Sequence, residues 1–297
     1  MTFLKPFLII IRSLLFILFD SIALWVAIVP KHNQQKLVLL VRQDAIGDFI
    51  LWLDTAKEYR KYYPPENCKI ILIGNALWSD LAKGLPFWDE VLPVNVKAFK
   101  TLSRYRWNIL RKVRNYGAEI AIQPTYSREF YHGDSLIRAS NASKKVSSAG
   151  NMSNRDQLKS ILADRWHTEL IPSSPEQLSE LERNAEFFSG FIKKLYLPSY
   201  PELELSGDCN IQELKRKSFY ILSLGANKKY REWPYKYYAK IAQKIHKKTG
   251  WLGLICGAEN EFDLGEHIKK LCDAPLQNYT GRTTLSELTC LLVKSQI

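Results

Sequence analysis

Short apolar runs alternate with amphipathic stretches along most of the chain. Leu37–Val41, Lys69–Ile73 and Glu119–Ile122 are dominated by aliphatic residues, as buried parallel strands are, and Glu90–Val94 has the same character. Between them, Asp48–Tyr63, Leu77–Lys83 and the basic stretch Lys97–Asn115 read as helices, the first stopped by Pro64 and Pro65. Strands that alternate with helices predict βαβ units and a doubly wound parallel sheet. Pro175–Leu195 reads as a long helix, apolar at Leu178, Leu181, Phe188 and Ile192. Leu197–Gly207 then carries Pro198 and Pro201 with no helical period, and is the best linker. After it the rhythm restarts: strands at Phe219–Leu224 and Trp251–Cys256, helices at Tyr235–Thr249, Glu261–Cys272 and Leu285–Lys294.

The pattern predicts an α/β protein with two Rossmann-like domains, at 33–200 and 201–297, preceded by a hydrophobic helix within 1–32. The second half is short for a closed α/β domain, so the expectation is that the sequence ends inside an incomplete domain.

Phe7–Val29 is apolar except for Arg12, Ser13, Asp20 and Ser21, and is long enough to cross a bilayer. It lacks a signal-peptide cleavage site. At ~100° per residue Lys5, Arg12, Ser13 and Asp20 share one arc. A lone Arg and Asp near mid-span are costly in hydrocarbon, whereas a helix lying in the interface with its polar stripe toward water avoids that cost. The interfacial helix is the leading expectation; a spanning anchor and a buried helix of the globular body are the alternatives.

Composition adds a sign and removes several classes. Among 297 residues Lys and Arg outnumber Asp and Glu by 42 to 30, a net charge of +12, which points to an anionic partner. Five scattered cysteines without a CxxC spacing support neither a zinc site nor a disulfide framework. The cationic stretch 97–114 lacks any RNP, HTH or KH pattern, so no nucleic-acid partner is expected.

The candidate chemistry lies at the strand ends. In Arg42-Gln43-Asp44-Ala45-Ile46-Gly47-Asp48, Gly47 would allow positive φ and close backbone approach at a strand-to-helix turn. Asp48 would open the helix, where it could either cap the turn or take a proton from an attacking hydroxyl. Gly225-Ala226-Asn227, with the cations that follow through Arg231 and then Trp233-Pro234, could cradle a diphosphate at a helix N-terminus or be a solvated basic loop. In Cys256–Glu261 a carboxylate could hold ribose hydroxyls, and Gly281-Arg282-Thr283-Thr284 is a polar helix start; plain turns explain either one alone. There is no GxGxxG, P-loop, Ser–His–Asp or metal-ligand signature.

In their order these motifs resemble glycosyltransferase family 9, the heptosyltransferases of lipopolysaccharide core assembly, over roughly residues 36 to 297. The strand-Arg-x-Asp-x-Ile-Gly-Asp opening resembles Arg42–Asp48. Lys-x-Trp-Pro resembles Arg231–Pro234 with Arg for Lys, Gly-x-x-x-Glu resembles Gly257–Glu261, and Gly-Lys-Thr-Ser-Leu-x-Glu-Leu resembles Gly281–Leu288. The resemblance implies a GT-B fold and metal-independent, cofactor-free, inverting transfer from a nucleotide sugar, ADP-heptose, to an anionic glycolipid acceptor. Asp48 is then the catalytic base, with Gly47 and Arg42 on the acceptor side. Gly225, Ala226, Asn227, Arg231, Glu261, Thr283 and Thr284 are then the donor side. It also implies work at a membrane surface, the cytoplasmic face of the bacterial inner membrane. The family's Asp-Thr-Gly-x-x-His loop has no counterpart before Ile297. The alternative is therefore a non-catalytic, membrane-tethered relative with an incomplete donor site.

Overall fold

The computed structural model describes residues 4–27, 35–203, 218–226 and 229–296. The chain forms two compact units, Met1–Glu204 and Leu205–Ile297.

The first unit runs α1 (Leu4–Trp25), β1 (Lys36–Arg42), α2 (Ile46–Tyr62), β2 (Cys68–Asn75), α3 (Ser79–Lys83), β3 (Glu90–Val94), α4 (Val96–Phe99) and α5 (Arg104–Asn115). It continues with β4 (Ile120–Gln123), α6 (Ser135–Ser140), β5 (Lys144–Ser148), α7 (Gln157–Asp164), β6 (Glu169–Ile171) and α8 (Glu180–Ile192). Its six strands are all parallel, in the order β3-β2-β1-β4-β5-β6. Strand β1 is central, and Val38, Leu39 and Leu40 are wholly buried, which is why it reads as an unbroken apolar run.

Three details depart from the sequence pattern. The single basic helix expected over Lys97–Asn115 is broken into α4 and α5, because the Ser103 hydroxyl caps α5 by accepting the Arg106 N–H. Helix α8 begins at Glu180 rather than Pro175, set by a reciprocal capping box between Ser179 and Glu182. Strands β5 and β6 were not expected at all.

Helix α1 is part of this unit's core. Phe16, Ala23 and Leu24 are buried, and so are Ser13 and Asp20 of the polar stripe, while Arg12 is exposed with its guanidinium over the Phe16 and Tyr131 rings. Ser13 is paired with the Tyr131 hydroxyl at 3.0 Å, and Ser21 accepts from Arg138 at 2.6 Å. Arg106 donates from Nε and Nη2 to the two carboxylate oxygens of Asp20 at 2.7 and 2.5 Å. Thus Ser13 and Asp20, expected in solvent on an interfacial helix, are turned into the protein instead. A buried Asp–Arg pair stabilises the packed position in a way that the hydrophobic pattern alone does not reveal.

The second unit contains β7 (Phe219–Ser223), α9 (Tyr235–Thr249), β8 (Leu252–Cys256), α10 (Phe262–Lys270), β9 (Leu276–Asn278) and α11 (Leu285–Lys294). Its strands are parallel, in the order β7-β8-β9. Pro234 stands at the N-cap of α9, one position before the first helical residue where it was expected. Cys290 in α11 is disulfide-bonded, a pairing that scattered cysteine spacing did not predict.

Candidate active site

The strand order reverses between β1 and β4, and in open α/β sheets ligands sit beyond the strand carboxyl ends at that point. A cavity of about 240 Å³ occupies this position in the first unit, lined among others by Asp44, Asp48, Lys100, Thr125, Glu129 and His132. Its walls are rich in carboxylate, hydroxyl, amide and imidazole groups, which suits a ligand with many hydroxyls.

Asp48 lies in the first turn of α2, whose N-terminal dipole end favours a carboxylate. The next residue, Phe49, is wholly buried and stacks on Trp78 with centroids 4.0 Å apart. Trp78 in turn donates its indole N–H to the Asp44 carbonyl at 2.9 Å, and Asn75 donates to the same carbonyl at 3.1 Å. Gly74 is required here, since a Cβ would come within 2.5 Å of the Trp78 ring. The turn carrying both aspartates is therefore pinned from β2 and α3.

The two aspartates have different surroundings. The Asp44 carboxylate meets Arg42 Nε at 2.5 Å and accepts the Thr125 hydroxyl at 3.1 Å. Asp48 has its pKa raised, first by burial and then by the negative charge of Asp44, against the opposing pull of Arg42 and the Ala45 amide. A half-buried carboxylate with raised basicity beside a polar cavity is suited to accept a proton.

Arg42, expected on the acceptor side, is not among the residues that line the cavity. It is wholly buried, and donates to Asn184 at 2.8 Å and to Glu180 at 2.6 Å besides meeting Asp44. It holds Asp44 and ties β1 to α8. Gly47 is exposed within the first turn of α2 and is not among the glycines with positive φ. The left-handed conformation expected of it is absent, because the helix has already begun at Ile46. The space around its Cα is open, so the allowance for close backbone approach remains.

In the second unit glycines do the positioning. Gly225 follows β7 at φ +76°, and a Cβ there would come within 1.4 Å of Glu261 Oε1. At Gly257, after β8, a Cβ would come within 2.3 Å of Glu261 Oε2. The Glu261 carboxylate therefore fits between the ends of β7 and β8, where it accepts the Ala258 N–H at 2.7 Å. Gly281 is also left-handed, at φ +69°, and donates its N–H to the Gly257 carbonyl at 2.9 Å.

Ala226 is exposed beside Gly225, and Asn227 lies outside the described residues. Arg231 is exposed on a single 3₁₀ turn ahead of α9 and has no carboxylate partner among the described residues. Thr284 is the N-cap of α11: its hydroxyl accepts the Glu287 N–H at 3.2 Å and lies 3.0 Å from the Glu287 carboxylate. Its expected place near phosphates competes with that cap. Thr283, half-buried just before it, carries no such cap.

The sequence reading passed over Thr125, Glu129 and His132. The signal was available, since the end of β4 is the switch-point partner of β1. Burial, with Lys100 and Arg106 nearby, lowers the His132 pKa to about 3, so the ring is neutral. Its buried Nε2 has no hydrogen-bond partner among the described residues.

The family profile described as Glycosyltransferase family 9 (heptosyltransferase) matches residues 108–297. No curated protein sequence matches the chain. Among solved structures, ADP-heptose LPS heptosyltransferase II of Escherichia coli is similar at 14% identity and a TM-score of 0.66, over 88% of this chain and 77% of its own. A family 9 glycosyl transferase from Veillonella parvula gives 12% and 0.69, over 88% and 74%. The E. coli heptosyltransferase WaaC with ADP-2-deoxy-2-fluoro heptose gives 14% and 0.65, over 88% and 81%. At these identities the likeness is one of fold.

Proposed function

Because the chain belongs to glycosyltransferase family 9, and so is a glycosyltransferase that uses a sugar-nucleotide donor, we propose that it inverts configuration while moving a heptose or related sugar from an ADP-sugar to a lipopolysaccharide core acceptor. The single observation that carries the mechanism is Asp48: half-buried, raised in basicity and lining a polar cavity at the switch point.

The reaction follows from the chemistry of the groups. An acceptor hydroxyl in the first unit's cavity attacks the anomeric carbon, the new carbon–oxygen bond forms, and its proton passes to the Asp48 carboxylate. The bond from the anomeric carbon to the diphosphate breaks on the opposite face, and ADP leaves with the electron pair. Arg231 and the backbone N–H groups after Gly225 stabilise that leaving charge, a role filled without metal or cofactor. Glu261 binds the donor ribose, and Thr283 the phosphates. The acceptor is an anionic glycolipid at the cytoplasmic face of the bacterial inner membrane, in keeping with the +12 charge and the apolar α1.

The test is calorimetry with ADP and, separately, ADP release from ADP-heptose in the presence of a core acceptor. Arg231→Ala should weaken ADP binding by about 1.5–3 kcal/mol, the range for a hydrogen bond to a charged group. Equal affinity in mutant and wild type places the diphosphate elsewhere, and no acceptor-dependent ADP release with any ADP-sugar contradicts the proposed reaction.

A further inference from the structure

Helix α1 has two faces of opposite character, and the polar one is already occupied. Arg106 is wholly buried, and its five N–H donors are all used: three on Ser135 and Asp20, two on the carbonyls of Phe99 and Tyr131. A helix that left the unit to cross a bilayer would strand this guanidinium and carry Asp20 into hydrocarbon. The helix is therefore fastened lengthwise to the unit.

The opposite face is apolar and uncovered. Leu8, Leu14, Leu15, Leu18, Ile22 and Trp25 are all exposed, Leu18 at 58% and Trp25 at 87%. The segment Leu8–Trp25 has the length and composition to cross a membrane, so its apolar content far exceeds what a solvent-facing helix needs. Contiguous exposed apolar area of this kind marks a surface that meets something.

What it meets is indicated by α5, which flanks it. Phe19 of α1 packs edge-on against Trp107, with ring centroids 5.5 Å apart. Phe19, Arg104, Trp107, Asn108 and Arg111 line a recess of about 450 Å³. The four α5 residues follow helical spacing and form one stripe. Helix α5 contains no acidic residue, and neither Arg104 nor Arg111 has a carboxylate partner among the described residues. Arg111 Nε is shielded from solvent and has no hydrogen-bond partner among them either. Two arginines and an indole beside an apolar face complement an anionic lipid interface, where phosphates border acyl chains. A second copy of the same face would bring a cationic stripe against its like.

We propose that α1 is an in-plane membrane helix worn inside out: its Ser13, Asp20 and Ser21 are bound to the protein, its apolar face enters the acyl boundary of a bilayer, and Arg104, Trp107 and Arg111 hold the phosphates of anionic phospholipids beside it. This deepens the membrane-surface part of the proposed function and is independent of the transfer chemistry.

Flotation of the full chain with phosphatidylcholine vesicles, with and without phosphatidylglycerol, tests it. Wild type floats with both and more strongly with the anionic vesicles. Leu14→Glu/Leu18→Glu, placed at exposed positions, reduces partitioning at least tenfold with unchanged thermal unfolding. Arg104→Ala/Arg111→Ala loses about fivefold per arginine on anionic vesicles and less than twofold on neutral ones. As a check independent of the glutamates, brominated lipid quenches part of the wild-type tryptophan emission, and Trp25→Phe diminishes that part, the remainder coming from Trp107. The proposal is overturned if wild type and Leu14→Glu/Leu18→Glu float alike, or if bromolipid quenching is unchanged by Trp25→Phe. It is also overturned if the glutamates split a dimer in solution without affecting vesicle binding. ADP affinity, measured in parallel, reports separately on the donor site.

Discussion

The two units place a carboxylate at their strand ends by opposite means. In the first, Asp48 is set by bulk and charge: Phe49 stacked on Trp78, and Asp44 held by the buried Arg42. In the second, Glu261 is set by absence, since the missing side chains of Gly225 and Gly257 leave the space it fills. The first arrangement perturbs its carboxylate and raises its basicity. The second satisfies its carboxylate with a backbone N–H from Ala258. Buried charge in one unit and glycine in the other thus give the two carboxylates different surroundings, as the separate roles proposed for them require.

Breaking a buried ion pair of the first unit should have the largest effect on stability. Asp20→Leu leaves Arg106 buried without its carboxylate, and chemical denaturation should show a loss of about 3–5 kcal/mol. Asp20→Leu/Arg106→Leu should recover much of it, because an apolar pair has no unpaired charge to bury. Wild-type stability in Asp20→Leu would mean that α1 is a detachable tether.

The matching change in the second unit is Gly225→Ala. A side chain forced into left-handed backbone costs on the order of 1–3 kcal/mol, and here it also displaces Glu261. ADP affinity measured by calorimetry should fall by about 1–3 kcal/mol, if that strain is relieved only by losing the bound geometry. The unfolding of α1 and β1 should be unaffected. Unchanged affinity would show that Glu261 does not depend on the vacancy.

The smallest expected effect is that of Asp48→Asn on stability. A carboxyl whose folded pKa is raised contributes stability that is fully present below its unfolded pKa and is lost as pH rises through the folded value. At neutral pH the ionised Asp48 is therefore slightly destabilising, and Asn removes that cost. Solvent screening keeps the change within about 0.5 kcal/mol, stabilising in sign and absent in acid. A clear destabilisation at neutral pH would make Asp48 a structural cap.

The central strands and the alternating helices were legible because their burial is a property of the local sequence. Glu90–Val94, Tyr235–Thr249 and Leu285–Lys294 agree with the structure to the residue. Strands β5 and β6 were not legible. In Lys144–Ser148 only Val146 is apolar, yet Ser147 and Ser148 are buried, because the sheet supplies an environment that the segment does not advertise. The start of α8 was legible in principle from Ser179 and Glu182, and was obscured by the apolar spacing upstream. At the site, Asp48, Gly225 and Glu261 stood out through motif order. The burial of Arg42 was not legible, because Glu180 and Asn184, far along the chain, are brought beside it only by the fold. The direction of the α1 polar stripe depended on Arg106 in the same way.

The most direct measurement is the pH dependence of transfer from ADP-heptose to a core acceptor, in single turnovers, for wild type and Asp48→Asn. The wild-type rate should rise with pH along an acidic limb set by a carboxylate more basic than an ordinary aspartate. Asp48→Asn should lose on the order of 10²–10⁴-fold in rate, together with that limb, while ADP still binds as in wild type. A variant that keeps near wild-type turnover and the same acidic limb would contradict Asp48 as the base.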